Sequence, residues 1–263
     1  MLIDFDALRE LGRPVRLIDC RAGLGDPGYG RRAYEQGHLP GAQHGDLDRD
    51  FAAPPGSGGR HPLPSRAALA ERFAAWGVND QDQLVFYDDA GGAFAGRGWW
   101  LARWCGHEAA AVLDGGLEAW PEALTTACAA PERGTFSLRP PLTRIVGAAD
   151  IEADRGALTL IDARAQRRFD GLEEPIDRVA GHIPGAFCRP FQGNLDATGR
   201  FLPAPQLRER FAGLADNPVC YCGSGVTATH NVLAMRLAGF DEPALYPGSW
   251  SDWINDPKRP VAP

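Results

Sequence analysis

The sequence predicts an α/β protein built as two tandem domains of one design, each a mainly parallel sheet flanked by helices. Three observations lead there. Short apolar runs alternate with longer amphipathic ones along the chain, as in strand–helix–strand units. The chain repeats itself over a long period. Its 263 residues, 44% hydrophobic and 23% charged, are ordinary globular material with room for two modest domains.

In the first half, buried strands are expected at 15–18, 84–87 and 111–113, with helices at 66–76 and 98–105. In the second half, strands are expected at 158–161, 218–221 and 244–246, with helices at 205–214 and 227–237. The two sets answer each other. Leu17-Ile18-Asp19-Cys20-Arg21 recurs as Leu160-Ile161-Asp162-Ala163-Arg164, offset 143, and Gly37-His38-Leu39-Pro40-Gly41-Ala42 recurs as Gly181-His182-Ile183-Pro184-Gly185-Ala186, offset 144. Leu84-Val85-Phe86-Tyr87-Asp88 answers Pro218-Val219-Cys220-Tyr221-Cys222, offset 134. Leu113-Asp114-Gly115-Gly116 then answers Leu245-Tyr246-Pro247-Gly248, offset 132. Four blocks in one order at so long a period mean a duplicated domain rather than a solenoid.

The offset falls from 144 to 134 between the second and third blocks, so the first copy is expected to carry an insertion. It is placed at Pro54-Pro55-Gly56-Ser57-Gly58-Gly59-Arg60-His61-Pro62, too rich in Pro and Gly for a helix or an interior strand. Periodicity fades through Pro131, Pro140 and Pro141. The expected division is therefore a first domain at 1–125, a linker at 126–142 and a second domain at 143–263.

Composition narrows the function classes. Basic residues number 27 against 34 acidic, a net charge of -7, which argues against a nucleic-acid or anionic-membrane surface. Asp4 and Asp6 stand where a signal peptide would carry basic residues, and no apolar run reaches the ~18 residues of a membrane span. Six cysteines in such a chain are expected to be reduced thiols in the cytoplasm rather than staples.

Ligands of open α/β sheets bind at the carboxyl ends of strands, so the informative loop is one that differs between copies. Tyr87-Asp88-Asp89-Ala90-Gly91-Gly92 stands in the first and Tyr221-Cys222-Gly223-Ser224-Gly225-Val226-Thr227-Ala228 in the second. In the latter a cysteine ends a buried strand and two glycines let the backbone curl before a helix. Successive amide N–H groups of Gly223, Gly225, Val226 and Thr227 can converge there into an anion nest at the helix's positive end. A thiolate held in such a cradle is a nucleophile at neutral pH. The competing reading is a buried structural cysteine.

Together, the Leu-Ile-Asp-x-Arg and Gly-His-x-Pro-Gly-Ala blocks, the degenerate repeat and the Cys-Gly-Ser-Gly-Val-Thr-Ala loop make the chain resemble the tandem-domain rhodanese sulfurtransferases. The resemblance spans essentially the whole chain and implies two rhodanese-like domains, the second catalytic through Cys222. In that family a Cys-Arg-Lys-Gly-Val-Thr loop marks thiosulfate sulfurtransferases, and Cys-Gly-Ser/Thr-Gly-Val-Thr marks 3-mercaptopyruvate sulfurtransferases. The expected reaction moves sulfur from 3-mercaptopyruvate through a Cys222 persulfide to cyanide, a thiol or a thioredoxin-like protein, without metal or organic cofactor. Arg168 matches the family's donor-binding arginine before an aromatic residue, and Arg178 stands near a second such position out of clear register. The resemblance also implies a Ser224, His61 and Asp46 relay assisting proton movement.

Asp19, Arg21, Asp162 and Arg164 occur in both copies and are expected to be structural ion pairs, with His38 and His182 bracing the Pro-Gly turns. Trp100 and Trp104, at i and i+4 of a helix, are expected in the core, as is Trp250. Other classes fit less well. A Cys-based phosphatase needs an arginine six residues after its cysteine, where Ala228 stands, and no C-x-x-C or H-E-x-x-H spacing serves a metal. Thiosulfate as donor, or a non-catalytic rhodanese-like binding module, remain the alternatives.

Overall fold

The computed structural model describes every residue except Ala129, Arg155 and Ala215. It divides into two units, one comprising Met1–Ala53, Leu63–Leu142 and Ala197–Arg200, the other Pro54–Pro62, Thr143–Asp196 and Phe201–Pro263. The Pro/Gly loop 54–62, assigned to the first copy by its place in the chain, thus packs with the second. Among the described residues no helix is long and apolar enough to cross a membrane.

In the first unit, strands β1 (Leu2–Ile3), β2 (Val15–Asp19), β3 (Gln43–His44), β4 (Gln83–Tyr87) and β5 (Ala110–Leu113) form a sheet of order β1-β5-β4-β2-β3. All its pairings are parallel. Helices α1 (Phe5–Arg9), α2 (Tyr29–Gln36), α3 (Arg66–Ala75) and α4 (Ala95–Trp104) accompany it. The central strand β4 reads Gln-Leu-Val-Phe-Tyr and is buried throughout, as parallel strands covered on both faces must be. On α4, Trp99 and Trp100 are fully buried. The predicted linker also has hydrogen bonds within this unit, from the amides of Thr135 to Asn79 Oδ1 and of Ser137 to Asp80 Oδ1.

The second unit follows the same plan. After α5 (Ala148–Ala153) come β6 (Thr159–Asp162), α6 (Gln166–Phe169), β7 (Phe187–Cys188), α7 (Ala204–Arg210), β8 (Pro218–Tyr221), α8 (Ala228–Leu237), β9 (Ala244–Leu245) and α9 (Ser249–Trp253). Its parallel sheet runs β7-β6-β8-β9. Trp250 and Trp253 lie in its core with Ile151, Leu160, Ile183 and Val219, each indole contributing on the order of 2–3 kcal/mol by leaving water.

Strand registers refine the internal alignment. Asp19 opposes Tyr87 as Asp162 opposes Tyr221, and Asp19 opposes His44 as Asp162 opposes Cys188, preserving the first three offsets. At the last block, however, Phe86 opposes Val112 while Cys220 opposes Leu245. The offset there is 133, not 132, so Gly116 corresponds to Ser249 rather than Gly248.

Both copies keep one buried polar knot. Arg21 grips Asp19 through Nε and Nη2 and donates to the Gly37 carbonyl at 2.7 Å. Arg164 does the same with Asp162 and the Gly181 carbonyl at 2.7 Å. The predicted structural ion pairs are therefore present, each tying the end of a strand to the Gly-His-x-Pro-Gly turn. His38 stacks on Tyr34, and His182 on Phe169 at 3.6 Å between ring centroids.

Candidate active site

Within the second unit the chain leaves β6 toward β7 on one side and leaves β8 toward β9 on the other. The crevice between the carboxyl ends of β6 and β8 is the switch point of this sheet, where open α/β folds hold ligands. Two segments open onto it: the loop 222–227 after β8, and the stretch after β6 that carries Arg168.

Cys222 is fixed by its backbone. Its N–H donates to Ser249 Oγ at 3.1 Å and its carbonyl accepts from the Trp250 amide at 3.0 Å. The Gly223 carbonyl accepts from the Ser251 amide at 2.9 Å. Gly225 lies at φ +76°, where a Cβ would stand 2.2 Å from the Pro247 carbonyl oxygen, so only glycine allows the curl. Among the described residues, the amides of Gly223, Ser224, Val226 and Thr227 donate to no protein acceptor. Such groups, in a loop whose Ser224 and Val226 are buried, call for an anion or a polar ligand.

The first copy displays the same cradle filled. Asp88, at the position of Cys222, is fully buried, and its carboxylate accepts from the amides of Ala90, Gly92, Phe94 and Ala95 at 2.8–2.9 Å. Burial lifts the Asp88 carboxyl above its ordinary range against the pull of these four N–H groups. The first loop thus carries its own anion, while the second carries a thiol with amides to spare. Cys222 itself is 2% exposed. Burial pushes the thiols of Cys20, Cys105, Cys188 and Cys220 upward, Cys105 and Cys188 to about 12, which leaves them poor nucleophiles near neutral pH.

Beside the loop stands a chain of alternating charges. Arg164 Nη1 lies 3.4 Å from Glu174, Glu174 accepts from Arg168 Nη2 at 2.7 Å, and Arg168 Nη2 reaches Asp177 Oδ2 at 3.0 Å. Asp177 Oδ1 in turn accepts from Arg60 Nη1. Glu174 also accepts the amides of Ile176 and Asp177. Burial raises the Glu174 carboxyl, but Arg168 and those amides outweigh it and hold the group below its ordinary value. For Asp177 burial wins over Arg60, and its carboxyl sits above the usual range. The guanidinium groups face the loop: a Cβ on Gly223 would lie 2.8 Å from Arg60 Nη2 and 3.6 Å from Arg168 Nη1.

The predicted site residues divide accordingly. Ser224 Oγ and His61 Nδ1 are in hydrogen-bond contact at 2.7 Å across 163 positions of sequence, and Arg168 stands at the cysteine loop. Arg178 turns elsewhere, donating to the Ile254 carbonyl and to Asn255 Oδ1. Asp46 lies in the first unit, where its Oδ1 accepts the amides of Asp48 and Arg49 in its own turn. Four residues at the site escaped sequence reasoning: Arg60, Ser249, and the carboxylates Glu174 and Asp177 that hold the arginines. Arg60 sits in a loop with no periodicity to read. Ser249 was hidden by the one-residue slip in the internal alignment.

Comparison with known proteins decides the family. The model of the Rhodanese-like domain matches residues 4–123 and again 148–256. The chain belongs to the rhodanese family. This tandem rhodanese is 51% identical to a Pseudomonas aeruginosa protein named "Probable 3-mercaptopyruvate sulfurtransferase", over 96% of this chain and 94% of the relative. It is 34% identical to the 3-mercaptopyruvate sulfurtransferase of Homo sapiens, over 94% and 88%. Among solved structures, SseA from Escherichia coli, a 3-mercaptopyruvate sulfotransferase by its description, superposes with a TM-score of 0.81 at 28% identity, covering 95% of this chain and 98% of that one. It is a rhodanese of the tandem, mercaptopyruvate-sulfurtransferase-like kind, and a sulfurtransferase.

Proposed function

We propose that this sulfurtransferase takes its sulfur from 3-mercaptopyruvate and carries it as a persulfide on Cys222. The observation that carries the reading is Cys222 at the head of a loop with unclaimed amides beside an arginine, a pairing that suits a sulfur anion and a carboxylate on one small molecule. The thiolate of Cys222 attacks the donor's sulfur, an S–S bond forms and the donor's C–S bond breaks. The electron pair passes into the enolate of pyruvate, which takes a proton and leaves as pyruvate. Loop amides of Gly223, Ser224, Val226 and Thr227 hold the sulfur anions, with Gly225 permitting the curl, and Arg168 holds the carboxylate. The Ser224–His61 contact provides a path for the enolate's proton.

The outer sulfur then passes to a nucleophile, whether cyanide, a small thiol or a thioredoxin-like protein, and the Cys222 thiolate is restored. All six cysteines are free, which fits a reducing compartment such as the cytoplasm. Intact-mass spectrometry after mixing with 3-mercaptopyruvate or thiosulfate tests the reading. The expected result is gain of one sulfur, faster from 3-mercaptopyruvate and absent in Cys222→Ser. Faster loading from thiosulfate would make that the donor, and failure of both in folded protein would leave a binding module.

A further inference from the structure

Arg60 has no place in the reading above, yet it is the cation nearest the position a side chain at 223 would occupy. The segment bearing it is firmly seated. Gly59 lies at φ +98°, where a Cβ would stand 2.6 Å from Ser251 Oγ and 2.8 Å from the Gly248 carbonyl oxygen. The Arg60 amide donates to Ser251 Oγ at 3.0 Å, and Asn255 Nδ2 donates to the carbonyls of Gly56 and Ser57. Ser251 follows the serine that accepts the Cys222 amide by two residues, so one short segment positions both the nucleophile and Arg60.

The guanidinium bonds show what remains available. Arg60 donates to Asp177 through Nη1, and Arg168 donates to Glu174 and Asp177 through Nε and Nη2. Among the described residues Arg60 Nη2 and Arg168 Nη1 have no acceptor, and these two atoms converge over Gly223. Asp177 is 4% exposed while Arg60 is 28% exposed, so the carboxylate is a buried anchor and the cation is its solvent-facing end. Two forks held on one carboxylate, each with a donor left over, form a clamp for a second carboxylate.

We propose that Arg60 is the second carboxylate-binding residue of the site, acting with Arg168 and taking the role that sequence had offered to Arg178. The assignment rests on a carboxylate-bearing sulfur donor, as proposed above. Asp177 holds the two guanidinium groups in register before the donor arrives, which spares the ordering cost of two long side chains. Gly223 leaves the space that Arg60 Nη2 needs.

Steady-state kinetics of Arg60→Ala with 3-mercaptopyruvate test this, alongside discharge of the preloaded persulfide by dithiothreitol, a neutral acceptor. The KM for 3-mercaptopyruvate is expected to rise roughly 10–100-fold, as for loss of a charge-assisted pair, with dithiothreitol discharge within about twofold of the parent. Arg60→Lys should recover part of the KM, since it restores charge without the fork. Arg60→Gln carries the same comparison should the alanine variant fold poorly, thermal melts reporting on each. An unchanged KM, or loading and discharge falling together, would overturn the assignment. Failure of the donor proposal is read separately, in the unsubstituted protein, as absence of sulfur gain from 3-mercaptopyruvate.

Discussion

Ser249 illustrates how a single residue sets the nucleophile. It is a non-glycine residue at φ +53°, fully buried, and its counterpart Gly116 holds φ +57°. A serine in that conformation carries about 1–2 kcal/mol of backbone strain. The hydroxyl offsets it by accepting the Cys222 amide and donating to the Tyr246 carbonyl at 2.8 Å. Ser249→Ala keeps the strain and strands the amide, at a cost of about 2–4 kcal/mol, whereas Ser249→Gly relieves the strain and should recover about 1 kcal/mol. Urea unfolding should therefore rank parent, glycine, alanine. Sulfur loading should fall in both variants, because neither returns an acceptor to the Cys222 amide. Equal stability of the two variants would mean that φ at 249 stores no strain.

At the scale of the element, the strand-to-helix loop after the central strand is one device used twice. With Asp88 the loop between β4 and α4 closes on its own carboxylate; with Cys222 the loop between β8 and α8 keeps its amides for a ligand. Asp88→Ala leaves four buried N–H groups without an acceptor, and the loss is expected to exceed about 3 kcal/mol, a large share of ordinary domain stability. Formate added to that variant should raise its Tm more than it raises the parent's, since a small carboxylate refills the nest. If formate shifts both equally, the first loop is not an anion cradle. This contrast was legible in the sequence because the repeat aligned Asp88 with Cys222 and two glycines flagged the curl. Strands β2, β4, β5, β6, β8 and β9 were legible too, being short apolar runs between turn residues, whereas the two-residue strands β1, β3 and β7 are too short to show a pattern and were missed. Helix α2 was missed: Tyr29-Gly30-Arg31-Arg32-Ala33-Tyr34-Glu35-Gln36 has one glycine inside it and buries only Gly30, Ala33 and Tyr34.

For the whole molecule, the duplication fixed the plan, but the site draws on a segment remote in the chain. Arg60 pairs with Asp177 across 117 positions and His61 meets Ser224 across 163, and no local pattern announces such contacts. The only signal was the offset change between repeat blocks, which marked an insertion without saying where it packs. The loop 54–62 belongs with the second unit by its contacts, although it leaves the first copy's sequence between β3 and α3. Its own interior carries little apolar surface: Pro, Gly and Ser fill it, and its anchors are backbone bonds to Ser251 and Asn255. Replacing residues 56–61 with an equal length of Gly and Ser, glycine kept at 59, should then cost no more than about 1–2 kcal/mol, since no apolar core side chain is lost and Asp177 keeps Arg168 as its partner. Activity should suffer far more. Loss of Arg60 alone should weaken donor binding roughly 10–100-fold, and loss of His61 should slow the proton step by a further order of magnitude or more. A variant that melts near the parent's temperature yet turns over at less than about 1% of its rate is the expected outcome. Retention of full activity would confine the catalytic apparatus to residues 143–263, and a collapse in Tm matching the loss of turnover would make the loop a structural brace instead.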